Sequence, residues 1–421
     1  MRIVCFGPGP WFKGGISNYN TSLAKALERQ GAQVFIVSWT QQYPAIIPRN
    51  FLDTESKNNL LEGTNITVNY LTNYNNPLTW SATVKYIQSL KPDMVIFQWA
   101  IALQGLPLGW MARRLMVSGG TEIIFDCHLI VQKESSKIDK LLTSYGLRSA
   151  STYIAHAYKT VSELQASFPE KTFFVSENGV RSKDENTIIK LFHPVYDLFQ
   201  PDPHLNIQNT KEKLHLKKYV FLFFGFIRKY KGLHNVIHAF KLIAEKRDDV
   251  SLLIAGESFW NTLNRNKLST KVKNTLFRLA KRLVLPHASN EQEYNPLKLI
   301  EDLQLQDSVT VVNRFIANEE VPIYFQVSDC IVLYYSTATP SGVESLSYNF
   351  NLPVLATRVG HFPETIIDGY NGYLAEPGDI QSMANQMLRF INYPLLREDV
   401  AASSKQMSWD NYAKAILNRN I

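Results

Sequence analysis

Cysteine is scarce in this chain: Cys5, Cys127 and Cys330 are odd in number, far apart, and each set in an apolar stretch. That pattern excludes a disulfide framework and a cysteine-based metal site, and it fits reduced core thiols. No apolar run approaches the length of a membrane span. The first strand-like stretch, Arg2-Ile-Val-Cys-Phe-Gly7, follows Met1 directly, which is expected to leave no room for a secretory signal, so cytoplasm is the expected compartment. The chain has no Asp-x-Asp pair. It also lacks helix-turn-helix, zinc-finger and aromatic RNA-binding signatures, so nucleic acid is not an expected partner.

What is present suits a globular protein. With 421 residues, 45% of them hydrophobic, the chain can bury large cores, and its length suggests two or three domains. A net charge of +7 favours anionic partners such as nucleotides, phosphorylated lipids or a membrane surface.

Up to about residue 190, short apolar strands (Arg2–Phe6, Val34–Trp39, Met94–Gln98, Glu122–Cys127, Tyr153–Ala155) alternate with helical patterns (Asn20–Gln30, Trp80–Leu90, Leu108–Val117). This alternation predicts a parallel sheet covered by helices. Prolines and turn formers cluster in His193–Pro203, which reads as an interdomain linker. The alternation restarts at Tyr219-Val-Phe-Leu-Phe-Phe-Gly225 and continues through Ser251–Ala255, Val309–Val312, Asp329–Tyr334 and Pro353–Thr357. The expected fold class is α/β, two doubly wound domains facing a cleft: residues 1–195, residues 196–400, and a C-terminal helix within 401–421 whose Trp409 and Tyr412 need a surface to cover.

Three strand-to-helix turns carry candidate chemistry, because unpaired amides at a helix start favour an anion. The first is Gly14-Gly15, ahead of a helix over about Ile16–Arg29; it is not the dinucleotide fingerprint, since Gly7-x-Gly9 is not followed by a third glycine at that spacing. The second is Gly225-Phe-Ile-Arg-Lys-Tyr-Lys-Gly232, where Arg228 and Lys231 can neutralise a diphosphate. The third is Pro340-Ser341-Gly342-Val343-Glu344, with Ser341 as a possible cap and Gly342 allowing close approach. His128 ends the strand Ile123–His128 on the edge where ligands bind in such sheets.

Residues 258–290 contain no Asp or Glu but carry Arg265, Lys267, Lys271, Lys273, Arg278, Lys281 and Arg282. With Leu276, Phe277, Leu279 and Leu283 interleaved, this segment reads either as a basic amphipathic helix on an anionic membrane or as an insertion docked by its apolar side.

In this order and spacing the chain resembles the retaining, nucleotide-sugar-dependent glycosyltransferases of family 4, which have the GT-B fold. The marks run nearly end to end: Gly14-Gly15, His128, Phe224–Leu233, Ile254-Ala-Gly-Glu257, Ser341-Gly-Val343, Pro353–Thr357, Val359-Gly-His-Phe-Pro-Glu364 and Asp368-Gly-Tyr-Asn-Gly372. The resemblance implies metal-independent transfer of a hexose-type sugar from a nucleoside diphosphate sugar to a glycan or lipid-linked hydroxyl acceptor, with no cofactor, in cell-surface polysaccharide or glycolipid synthesis. It assigns His128, Arg228 and Lys231 to catalysis, and Gly14, Gly15, Ser341, Gly342, Val343 and Glu344 to the donor. The final helix is expected to pack back on the first domain.

The chain departs from the family at its Glu-x7-Glu pair, which falls on Ala338 and Leu346, and at its post-glycine arginine, which is Phe226. These losses leave a second reading open, a degenerate subunit that binds a sugar nucleotide without turning it over. A third keeps the fold for a different chemistry, such as a sugar-nucleotide epimerase.

Overall fold

The computed structural model describes residues 1–44, 51–130, 136–258, 294–340 and 342–419. The first sheet contains β1 (Arg2–Phe6), β2 (Gln33–Gln41), β3 (Thr67–Asn73), β4 (Met94–Trp99), β5 (Glu122–Cys127), β6 (Thr152–Ala155), β7 (Phe173–Ser176) and β8 (Asn186–Lys190). The second contains β9 (Tyr219–Phe224), β10 (Val250–Ala255), β11 (Val309–Val312), β12 (Cys330–Leu333), β13 (Val354–Thr357) and β14 (Gly372–Ala375). Their orders are β3-β2-β1-β4-β5-β6-β8-β7 and β11-β10-β9-β12-β13-β14, with every strand pair parallel. All six residues of β4 and of β10 are buried, as expected of strands covered on both faces.

Each sheet reverses its strand order beside its first strand, and the first sheet does so again at β6-β8-β7. β1 lies between β2 and β4, and β9 between β10 and β12. The crevice at the carboxyl ends of such neighbours is where ligands of open α/β sheets bind.

Four strands escaped the sequence reading for physical reasons. β3 carries five half-buried residues out of seven and so has no continuous apolar run. β7 and β8 follow one another with no helix between them, so they break the strand–helix alternation that marked the others, and β14 follows a helix of only four residues. The three cysteines are free and buried. Of the basic segment 258–290, only Ser258 is among the described residues, so both readings of it lie outside them.

After β8 the chain crosses to the second sheet, and it returns near residue 407, where the Val195 amide donates to the Met407 carbonyl at 2.9 Å. Helix Trp409–Leu417 then lies along helix Gly15–Arg29, with Arg29 and Asp410 paired at 3.1 Å. Trp409 and Tyr412 cover the ring of Tyr19. Buried Arg181 ties this helix down by donating to the Ile416 carbonyl and to Glu122, each at 2.9 Å.

Candidate functional site

The loops at the reversals beside β1 and β9 meet. After β1 the chain enters helix Gly15–Arg29, and after β12 it enters helix Gly342–Asn349. Tyr196, on the linker, stands between these two helix starts. Its hydroxyl donates to the Gly15 carbonyl at 2.7 Å, and a Cβ on Gly342 would collide with its ring. Only glycine allows that approach. Gly14 faces Phe226, whose ring would lie 4.0 Å from an added Cβ.

Lys231 reaches the same place from β9, at the end of the short turn Lys229–Lys231. Gly225 has φ 91°, a conformation few side chains tolerate. An added Cβ there would sit 3.0 Å from Lys231 Nζ and 3.6 Å from Val343 Cγ2. The Lys231 side chain is buried, and burial followed by the nearby Arg228 charge pushes its pKa down to about 7. A buried amine beside a helix start favours an incoming anion, because the anion restores what desolvation removed. The half-buried Arg228 guanidinium lies 5.3 Å from the Tyr230 ring.

The structure therefore brings together Gly14, Gly15, Gly342, Val343 and Lys231, with Arg228 on the same loop. Ser341 lies outside the described residues. Glu344 is present on the same helix, but its carboxylate is buried and turned to internal partners: it accepts from Tyr348 at 3.1 Å and contacts His361 and Thr365. For Glu344 to hold a ligand directly, those bonds would have to be given up.

His128 belongs to a second constellation at the cleft floor. Its Nε2 bonds Gln98 Oε1 at 2.7 Å, and burial, above the smaller effects of Asp126 and His156, lowers its pKa to about 4. At neutral pH it is an uncharged hydrogen-bonding ring. Asp126, two residues earlier on β5, is fully buried and accepts from His156 Nε2 at 2.8 Å and Tyr19 Oη at 2.9 Å, while Tyr412 Oη lies 2.6 Å from Tyr19 Oη. Burial alone would raise the Asp126 carboxyl; the charge and hydrogen bond of His156, with His128 and Tyr19, outweigh it and hold it below its ordinary range. His193 stacks obliquely on His156 at 5.3 Å and bonds Ser345 at 2.7 Å, and its burial pushes its pKa well down.

Asp126, His128 and His156 offer ligand atoms within 4.8 Å of one another, which by distance would admit a metal ion. The Nε2 atoms of both rings are already engaged, and the rings are stacked at 19°, so their remaining lone pairs run in near-parallel planes. The geometry is that of a hydrogen-bonded cluster.

Sequence reading missed Asp126, His156, His193, Tyr19 and Tyr196. Two signals existed: a carboxylate inside the apolar run Ile123–His128, and a second strand-end histidine directly after Tyr153–Ala155. Tyr19 and Tyr196 carry no local signal, because only the fold brings them here.

The two domains also touch across the cleft mouth. The Lys57 amide donates to Glu319 at 2.8 Å, the Asn318 amide to Ser56 at 3.0 Å, and Lys13 lies 4.2 Å from the Phe315 ring centroid.

Comparison with known proteins yields two family models in chain order. One described as Glycosyltransferase Family 4 matches residues 13–183, and one described as Glycosyl transferases group 1 matches residues 206–407. A capsular polysaccharide biosynthesis glycosyltransferase, CapM of Staphylococcus aureus, is 23% identical over 223 residues, 53% of this chain and 49% of CapM. A D-inositol 3-phosphate glycosyltransferase of Thermobifida fusca is 33% identical over 101 residues, 21% of this chain and 23% of its own. The chain thus spans about half or less of these curated relatives. Among solved structures, Anabaena HepE in complex with UDP-glucose superposes with a TM-score of 0.67 over 99% of this chain and 98% of HepE, at 17% identity, a likeness of fold.

Proposed function

The chain belongs to family 4 of the glycosyltransferases and has their two-domain GT-B fold, and from that premise we propose that it moves a sugar from a nucleoside diphosphate sugar to a hydroxyl acceptor with retention at the anomeric carbon. The observation that carries this reading is the convergence of buried Lys231 with the starts of helices Gly15–Arg29 and Gly342–Asn349. CapM, named for capsular polysaccharide biosynthesis, and HepE, crystallised with UDP-glucose, support a nucleotide-sugar donor and a cell-surface polysaccharide as product.

As the glycosidic bond breaks, the leaving diphosphate gains negative charge. Lys231, Arg228 and the amides at Gly342 and Val343 meet that charge, so they stabilise the transition state more than the ground state. The reading needs no metal. Neutral His128 orients sugar or acceptor hydroxyls rather than acting as an acid, and the leaving phosphate takes the acceptor proton.

The test is nucleotide release from a panel of UDP, GDP and dTDP sugars with EDTA present, followed by NMR of the product anomer. Release with a retained anomer is the expected result; an inverted product overturns retention. Binding without release would favour the degenerate subunit, a reading supported by Ala338 and Leu346, which are buried where the family carries its glutamates.

Lys231 also makes donor binding pH-dependent. The bound diphosphate requires the charged amine, whose free pKa is about 7. Below pH 7 the amine is already protonated; above it, each pH unit should weaken UDP binding about tenfold until the pKa of the complex is reached. Calorimetry in buffers of different ionisation enthalpy should record uptake of a proton at pH 8 and little at pH 6.

We also infer peripheral contact with an anionic membrane. No described helix is long and apolar enough to cross one. Helices Gly105–Val117 and Lys137–Leu147 pack together and leave Leu106, Ile138 and Leu141 exposed, with Lys137 and Lys140 alongside, a pattern that suits interfacial binding. Co-sedimentation with phosphatidylglycerol vesicles should fall several-fold in the double variant Ile138→Asp, Leu141→Asp; unchanged sedimentation counts against the inference.

A further inference from the structure

A groove of about 730 Å³ opens behind the histidine cluster, within the size range of small-ligand sites. Its floor is made by the two chain crossings, Lys190–Phe192 on the way out and Gln406–Ser408 on the way back. Tyr158, Glu177 and Asn178, past the ends of β6 and β7, form one wall; Asn411 and Lys414 of helix Trp409–Leu417 form the other. Met407 separates it from the small cavity that His156, His193, Glu344 and His361 line.

Three features define what the groove can hold. Lys190 is buried, its Nζ lies 3.7 Å from the Phe192 ring centroid and 4.5 Å from that of Tyr158, and its nearest acid, Glu364, is 3.9 Å away. Among the described residues no hydrogen bond fills its donors. Gln406 and Asn411 expose side-chain amides that likewise have no partner there. Each amide offers two donors and an acceptor, the complement of neighbouring sugar hydroxyls, which both donate and accept. Tyr158, Phe192 and Tyr412 put aromatic rings in the same lining, the kind of surface on which the C–H face of a pyranose packs.

Phosphate is a poor fit. Both helix starts bordering the groove are closed: the Tyr158 amide donates to Glu364 at 3.1 Å, and the Asn411 amide to Ser408 Oγ at 3.2 Å. Glu177 adds a negative charge beside Lys190 and Lys414.

We propose that this groove binds a short oligosaccharide, at a site separate from the convergence of Gly15, Gly342 and Lys231. A bound glycan touches both crossings and therefore favours the domain arrangement in which Lys190 and Glu364, from opposite domains, lie together. The binding does not depend on transfer activity.

The test uses the full chain and four neutral probes: maltotriose, cellotriose, chitotriose and mannotriose, followed by saturation-transfer NMR and calorimetry. At least one is expected to bind saturably, with UDP failing to displace it. Gln406→Ala and Asn411→Ala, both at exposed positions, should each weaken that binding about tenfold and leave UDP binding intact. The proposal is overturned if no probe binds at millimolar concentration, if UDP displaces the sugar, if both variants bind as the parent does, or if inorganic phosphate competes for the groove.

Discussion

Lys231→Ala is expected to lower turnover by about two to three orders of magnitude and to weaken UDP binding by about tenfold or more. The size of the effect follows from burial. An exposed lysine would lose little, since water already screens it. Lys231 is 7% exposed, and its amine lies beside Gly225 and Val343 with no acid paired to it among the described residues. The diphosphate is the counter-ion that this environment calls for.

Stability should move the other way, and this separates lost chemistry from lost structure. A lysine whose folded pKa lies near 7 opposes folding at every pH below its unfolded value, most strongly below the folded one. Removing it at pH 7 relieves a cost of roughly a few kcal/mol, offset in part by lost packing of the methylene stem. The melting temperature of the ligand-free variant at pH 7 should therefore not fall. A drop of many degrees, together with lost binding, would show that Lys231 serves the fold instead.

Asp126→Ala should be the most destabilising single change in the first domain. It leaves the buried His156 Nε2 without its acceptor, leaves the Tyr19 hydroxyl only Tyr412 Oη, and loosens Tyr412, which anchors the returning helix Trp409–Leu417. Breaking one side of a buried charged network costs about 3–5 kcal/mol, or about 10 °C in melting temperature for a domain of this size. Asp126→Asn keeps the shape and one acceptor, and should lose less than half as much. The pH dependence has a definite sign. Because the folded carboxyl lies below its ordinary value of 3.8, its contribution is complete above that pH and disappears as pH falls further. Circular dichroism melts of the three proteins between pH 3 and 7 test this. A variant that melts with the parent would remove Asp126 from the stability argument.

The fold was largely legible because its longer strands are buried on both faces, and such strands announce themselves as continuous apolar runs; β4, β5, β9 and β10 were all visible in this way. β3, half-exposed, was not. Of the candidate site, the loops were legible and their meeting was not. Gly14-Gly15, the Arg228–Lys231 loop and Gly342 each stood out as a strand-to-helix turn, yet the sequence has no means of stating that Tyr196 bridges two of them.

By itself, then, the sequence determined what is local: parallel α/β domains from apolar periodicity, helix starts from glycine and proline, and free thiols from their number and setting. Tertiary structure alone decided which of these parts meet. It turned Glu344 inward to His361, joined Asp126 to His156 and to a tyrosine from the end of the chain, and buried Lys231 deeply enough to bring its pKa near neutrality. The reason is physical. Backbone conformation depends on near neighbours, whereas desolvation and hydrogen-bond partnership depend on whatever the completed fold places within a few ångströms.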